Sequence, residues 1–413
     1  MNLKALLCKV YLPVRQVWLM SRSKKHTWNN TKITVVFFVQ HVPSWGKLNL
    51  LYQSLKNDSR FKVYLFCVPN PKDDLNNETY NYFKQRGYEA INAREEDGSW
   101  FDLKRIKPDY IMTTRPYDYE EPVEYYSNNL CKIGKICNFS YGINIDERIA
   151  EYVYTQQFYR HTYMYFAEMQ FLEDIYKKYQ KLGTKFNLCH TKHLGMIALD
   201  DFMAQRDKYS ASWDFAKGDV RIMWTPRWST DIAFGGSNFF TFKDFWIKYC
   251  KENPSVDLLI RPHPQMFMHL EQTGEFTKEE ADTYKHQIEL LDNVALDKEK
   301  EYAASFWNAD VLVSDYSSII PEFFLTEKPL VFCKRNMILP LLDNMKDILK
   351  GCYVVDSEKE LYDCIEQLRQ GNDTKKNIRA EMKEKLFGKT LGKSVELTTN
   401  WLIEDWRKSN AGN

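Results

Sequence analysis

Short, nearly continuous apolar runs that alternate with amphipathic segments constrain this chain more than any other feature of its sequence. The first series occupies 33–40, 61–68, 88–93, 109–113 and 133–139, with helical patterns at 45–56 and 74–86. A strand apolar on both faces belongs in a parallel sheet covered by helices on each side. A second series follows at 220–225, 256–260, 293–296, 311–314, 330–333 and 353–355. Helical patterns at 241–252, 276–291, 318–326, 358–370 and 373–386 separate or follow these runs. Between the series, 150–205 is aromatic-rich and reads as mostly helical, and 206–219 reads as a connection. The chain is therefore expected to be α/β, with two Rossmann-like domains facing a central cleft and an N-terminal amphipathic helix. The expected boundaries are 1–28, 29–205, 220–390 and 391–413, the last a helix returning to the first domain.

Charge is distributed unevenly along the chain. The first 57 residues hold nine Lys and Arg and no acidic residue, whereas the remainder holds 48 basic against 56 acidic residues. Within 1–28, apolar residues at largely helical spacing are interrupted by Lys4, Lys9 and Arg15, and Trp18, Arg22, Lys24 and Lys25 follow. That run is too broken by charge to span a bilayer. It suits a helix lying on an anionic membrane surface, cations toward headgroups and Trp18 at the interface. The competing reading is a helix packed on the protein's own body. Removal of 1–28 is expected to release the protein from acidic vesicles and leave the rest folded. Nucleic acid is a poor partner for this basic start, because the rest of the chain is net acidic.

Nine cysteines, none in a Cys-x-x-Cys pair, and the lack of a secretory apolar region read as reduced core thiols of a cytosolic protein. No Cys/His cluster has metal-ligand spacing, and no Asp-x-Asp of the kind that holds a divalent ion on a nucleotide is present. Neither a metal nor another cofactor is called for.

Three segments directly after strands of the second series carry chemistry, where open α/β sheets bind ligands. In Arg261-Pro-His-Pro264, two prolines fix the backbone around His263 beside a guanidinium, which suits a diphosphate. A buried structural histidine is the alternative. In Asp315-Tyr-Ser-Ser318, two hydroxyls open a helix, either as a phosphate cradle or as an N-cap. Glu322, one turn on, is placed to hold ribose hydroxyls. In Trp224-Thr-Pro-Arg-Trp228, Arg227 brings a cation to the cleft.

Together these segments resemble the CDP-glycerol glycerophosphotransferase family, the teichoic-acid primases and polymerases. Phe323-Phe-Leu-Thr-Glu-Lys-Pro-Leu-Val-Phe332, Phe387-Gly-Lys389 and Gly392-Lys-Ser394 also look like that family, as do Trp45, Leu51-Tyr52 and Phe61 more weakly. The resemblance implies a glycosyltransferase B fold in which His263, Ser317 and Ser318 contact the donor diphosphate. Arg261 and Asp315 would hold the loops, and Glu322 would face the ribose. It further implies a CDP-activated polyol phosphate, glycerol phosphate foremost, and attack by an acceptor hydroxyl on the β-phosphorus with departure of CMP. The acceptor would be lipid-linked or polymeric, in teichoic-acid or capsule-like polymer synthesis at the cytoplasmic face of the bacterial membrane. A homo-oligomer is compatible with the sequence.

The sequence departs from the family in its first half. Where members carry His-Gly-Thr, whose histidine is held to deprotonate the acceptor, this chain has Ser140-Tyr-Gly-Ile143. His41, Asp118 and Tyr141 are the candidate replacements, since each follows a strand and a base must reach the acceptor hydroxyl. His41 is preferred; His161, His190 and His193 fall in sequence that reads as helical or linking. Two other functions stay open: a glycosyltransferase using a UDP- or GDP-sugar, and a catalytically degenerate binding module of a polymer-export complex.

Overall fold

All seven residues of Ile33–Val39 (β1) are buried, as a segment without a polar face requires. In the computed structural model β1 lies in the middle of a sheet, between Phe61–Cys67 (β2) and Tyr110–Thr113. The structure describes residues 3–69, 77–208, 213–234, 236–299, 302–334 and 340–411; the side chains of 3–10, 149 and 234 lie outside that description. The chain forms two compact units. One comprises Met1–Gly142, Ile149–Asp201 and Thr390–Asn413, the other Ile143–Arg148 and Phe202–Lys389.

In the first unit β1 and β2 are joined by Ala90–Asn92 (β3), Tyr110–Thr113 (β4), Lys135–Phe139 (β5), Met164–Phe166 (β6) and His190–Lys192 (β7). Their order is β3-β2-β1-β4-β5-β6-β7, and every pairing is parallel. The second unit holds Val220–Thr225 (β8), Val256–Ile260 (β9), Val294–Leu296 (β10), Val311–Ser314 (β11), Leu330–Cys333 (β12) and Tyr353–Val355 (β13). Its order, β10-β9-β8-β11-β12-β13, is again all parallel. Each sheet thus starts at an inner strand, runs outward, and returns to that strand's other side, the doubly wound plan of a Rossmann-like domain. The order reverses between β1 and β4 in one unit and between β8 and β11 in the other.

Several local expectations need correction. The segment 45–56 is two pieces: a 3₁₀ helix, Val42–Lys47, started by Pro43, and an α-helix, Asn49–Lys56. The segment 150–205 is less helical than its composition suggests, because it supplies β6 and β7. His190 therefore opens a strand. The pattern at 318–326 shortens to Ile320–Phe324, and Met266–Gln272, Ala303–Asn308 and Asp343–Lys350 are further helices. The pattern at 74–86 begins at residues outside the described set; its described part is the helix Glu78–Gln85.

Both ends of the chain are built into the first unit. The helix Ser394–Asn410 buries Leu402 and Ile403, and Asp200 caps its start by accepting from Gly392 N at 2.6 Å and Ser394 N at 2.8 Å. Asp405 accepts from Lys135 Nζ at 2.7 Å, Tyr110 Oη at 2.6 Å and Tyr163 Oη at 2.6 Å. The N-terminal helix, Leu3–Lys25, buries Leu19, Met20 and Ser23, and beyond it Trp28 Nε1 donates to the carbonyls of Pro108 and Ile133. Removing 1–28 would strip Leu19 and Met20 from the core of the unit, and the remainder is expected to lose stability. Tyr11, Leu12, Val14 and Trp18 on the same helix are exposed. One stripe of the helix thus packs on the body, and another faces outward. No helix among the described residues is long and apolar enough to cross a membrane.

Candidate functional site

In the second unit, hydrogen bonds between loops assemble a site at the reversal point of the sheet. β8 lies between β9 and β11, so the chain leaves all three strands at one edge. His263 N, after β9, donates to Pro226 O, after β8, at 3.1 Å. Arg227 N donates to Asp315 Oδ2, after β11, at 2.9 Å. The same carboxylate accepts from Ser237 Oγ at 3.0 Å, Asn238 N at 3.1 Å and Asn238 Nδ2 at 2.9 Å. Asp315 is completely buried; burial pushes its pKa up while these donors hold it back. Its oxygens are taken up by the chain, which makes it the post that fixes Arg227 rather than a group facing outward.

Arg227 is the distinctive side chain here. Its guanidinium donates through Nη1 to Tyr316 O at 2.6 Å and lies 5.2 Å from the centroid of the Tyr316 ring. Tyr316 is in turn fixed by donating to Asp146 Oδ2 at 2.7 Å. Arg227 Nε, however, is buried with no hydrogen-bond partner in the chain. No carboxylate lies within ion-pair distance of it among the described residues, whereas Arg221, Arg261, Arg369 and Arg379 each have one. Burial accordingly lowers the Arg227 pKa, although a guanidinium stays charged at neutral pH. A half-buried cation with an unused donor is costly unless an anion completes it.

His263 stands on the neighbouring loop. Gln265 N donates to its Nδ1 at 3.2 Å, so Nδ1 is the acceptor and Nε2 carries the proton of the neutral ring. Desolvation by its surroundings and the Arg227 cation lower its pKa to about 4. The residue is nonetheless exposed, so solvent offsets part of the desolvation. Either way the ring is neutral at pH 7 and offers one N–H. Arg261 is held by Asp297 through Nη1–Oδ2 at 2.7 Å, and Asp297 also accepts from Ser305 Oγ at 2.7 Å. The Arg261 guanidinium is 5.9 Å from the Tyr302 ring, and the Tyr302 hydroxyl hydrogen-bonds Glu322. Arg261 and Glu322 are thereby linked through one tyrosine.

Ser317 and Ser318 lie in the turn between β11 and Ile320–Phe324. Neither side chain caps that helix: its N-cap position is Ile319, whose N–H donates weakly to Ser317 Oγ at 3.4 Å. Ser318 is exposed. Asp297, Asn238, Tyr302 and Asp146 escaped the reading of the sequence. Asp297 directly follows β10 and had a positional signal; Asp146 had none, being paired over 170 residues.

In the first unit His41 and Asp118 follow β1 and β4, the strands flanking the reversal point. His41 precedes the 3₁₀ helix Val42–Lys47, its carbonyl accepting from Ser44 N at 3.0 Å and Ser44 Oγ at 2.8 Å. The Asp118 carboxylate accepts from Ser127 N and Ser127 Oγ, both at 2.8 Å. Ser127 Oγ is 2.9 Å from His161 Nδ1, deep in the core. Burial raises the Asp118 pKa. Tyr141 is exposed, and its hydroxyl meets that of Tyr117 at 3.1 Å beside Arg115, itself paired twice with Glu120 at 2.6 Å. His193 is fixed by its ring nitrogens to Ala167 O and Thr390 Oγ1.

Of the N-terminal cations, Lys4 and Lys9 have side chains outside the described set. Arg22 lies over the Trp18 ring at 5.0 Å, and Lys24 Nζ donates to Asn187 O at 2.8 Å. Among the described residues no group of three or more His, Cys, Asp or Glu could hold a metal ion. The eight described cysteines are buried and free.

A family model for CDP-Glycerol:Poly(glycerophosphate) glycerophosphotransferase matches residues 199–402. No curated protein matches the chain. Among solved structures, UDP-GlcNAc 2-epimerase from Neisseria meningitidis, bound to UDP-GlcNAc, is similar with a TM-score of 0.60 at 12% identity, over 90% of this chain and 100% of that one. The wall teichoic acid polymerase TagF is similar with a TM-score of 0.58 at 12% identity, over 97% of each chain. The epimerase from Methanocaldococcus jannaschii gives 0.57 at 12%, over 90% and 99%. At such identity these likenesses establish the fold: two Rossmann-like domains of the glycosyltransferase B type.

Proposed function

Through residues 199–402 the chain belongs to the CDP-glycerol:poly(glycerophosphate) glycerophosphotransferase family, and on that premise we propose that it transfers a polyol phosphate, glycerol phosphate foremost, from a CDP-activated donor to a hydroxyl of a lipid-linked or polymeric acceptor. The observation that carries this reading is Arg227, a half-buried cation with no carboxylate partner and one unsatisfied N–H. A diphosphate supplies both what the charge and what the donor lack. His263 gives its Nε2–H to a phosphate oxygen, and the Ser317 and Ser318 hydroxyls give theirs. Arg261, braced by Asp297, and Glu322, braced by Tyr302, bind farther along the nucleotide, with Glu322 on the ribose.

In the reaction the acceptor oxygen bonds to the β-phosphorus, the bond from that phosphorus to the bridging oxygen breaks, and CMP departs with the electron pair. Charge grows on the departing phosphate, where fixed donors lower the barrier most. The acceptor proton goes to a base in the first unit. We assign that role to His41 over Asp118, because both Asp118 oxygens already accept from Ser127. The outward stripe of the N-terminal helix holds the protein at the cytoplasmic face of an anionic membrane, near a lipid-linked acceptor.

The test is a donor screen with the purified chain and lipid-linked or short polymeric acceptors, read as released nucleotide. CMP release from CDP-glycerol or another CDP-polyol, lost in R227M and H263A, is expected. Release of UDP or GDP from a sugar nucleotide would assign the site to a glycosyltransferase. Absence of turnover with every donor, together with unchanged polymer in cells carrying H263A, would leave a binding module.

A further inference from the structure

A second hollow lies in the first unit, on the side where the chain enters β6. The N-terminal helix, the turn Gln157–His161 and the helices Leu172–Tyr179 and Lys181–Lys185 enclose a cavity of about 690 Å³. Four cations line it, Arg15, Arg160, Lys178 and Lys181, and no acidic residue does. None of the four has a carboxylate within ion-pair distance among the described residues. The adjacent Lys177 behaves differently, pairing with Glu173 and Asp174. Four like charges around one hollow repel one another and gain from an anion placed between them. The floor is His161, buried and anchored through Nδ1 to Ser127 Oγ. Burial, then the Arg15 and Arg160 charges, keep that ring neutral.

The exposed residues of the N-terminal helix say which anion fits. Tyr11, Val14 and Trp18 are 61%, 63% and 52% exposed and recur at i, i+3 and i+7, one stripe of the helix. Leu12 is exposed and also lines the cavity. An apolar stripe beside a cationic hollow matches a molecule with a phosphate at one end and hydrocarbon at the other.

We propose that this cavity seats the phosphate headgroup of an acidic phospholipid, with the acyl chains along Tyr11, Val14 and Trp18. The seat rests on the membrane-surface part of the function proposed above and makes it specific: attachment depends on a shaped site rather than on diffuse charge.

Co-sedimentation of the full chain with vesicles of phosphatidylcholine, with and without phosphatidylglycerol, tests this at about 0.1 M ionic strength. Wild type is expected on the phosphatidylglycerol vesicles alone. R160S/K181S changes two surface side chains and is expected to weaken binding about tenfold or more, with CMP release in detergent unchanged. K84S/K104S, the same charge change at exposed positions outside the cavity, should have a much smaller effect. Equal loss in the two double variants overturns the seat and leaves diffuse electrostatics. Release by millimolar inorganic phosphate at constant ionic strength overturns the lipid assignment in favour of free phosphate. If wild type binds neither vesicle, the membrane reading itself fails, while donor transfer, measured separately, stands.

Discussion

Single side chains in the second unit separate into groups that face a ligand and groups that hold them there. Arg227 is of the first kind. R227M removes a charge-assisted contact and should raise KM for the CDP donor about tenfold to a hundredfold, measured by CMP release. Its net cost in stability should be below about 1 kcal/mol, because loss of the bond to Tyr316 O is offset by removal of a buried, unpaired N–H. Asp315 is of the second kind. D315A removes the acceptor of four hydrogen bonds that tie Arg227, Ser237 and Asn238 together and should lower the unfolding free energy by about 3 kcal/mol, read by urea denaturation. His161 gives a pH signature. Its pKa is held down from 6.5 to about 4, so the unfolded chain takes up a proton that the folded chain refuses. The stability due to the neutral ring is complete above about pH 6.5 and is lost as pH falls toward 4. H161Q should show a smaller loss of urea midpoint between neutral and acid pH than wild type does; equal losses would discard this account.

Among the elements, β1 was legible because a strand buried on both faces must be almost wholly apolar, and β8 because its last four residues are buried. β6 and β7 were not, since three residues give no period, and the tyrosines around them read equally well as helix. Pro43, which starts the 3₁₀ helix Val42–Lys47, was visible in principle as a helix start. The helix Ser394–Asn410 was legible from its amphipathic pattern, but the reason for its docking was not. Lys135, with its side chain 3% exposed, takes Asp405 as its carboxylate partner across 270 residues. D405A would leave that buried ammonium without a carboxylate, its remaining bond being to Ser409 Oγ, and would take the acceptor from the Tyr163 hydroxyl. We expect a loss of about 3–5 kcal/mol in the stability of the first unit, followed by hydrogen exchange in β4 and β5. In the same way His263 and Arg261 could be found from a post-strand motif, whereas Tyr302 and Asn238 acquire meaning only from whom they touch.

At the scale of the molecule, in the attachment proposed above, the cationic hollow and the outward stripe of the N-terminal helix act together. Raising salt to about 1 M, where charges are screened within about 3 Å, should release the protein from acidic vesicles. W18S should weaken binding at low salt with little change in thermal midpoint, because Trp18 is about half exposed. The composition of the units has a consequence for how the protein is made. The second unit is nearly continuous in sequence, from Phe202 to Lys389, whereas the first is completed by Thr390–Asn413. As the chain leaves the ribosome, β1 to β7 emerge before the second unit, with Lys135 waiting for Asp405 until that unit has been made. The first half made is thus the last half finished, and in that interval its unfinished surface is open to chaperones.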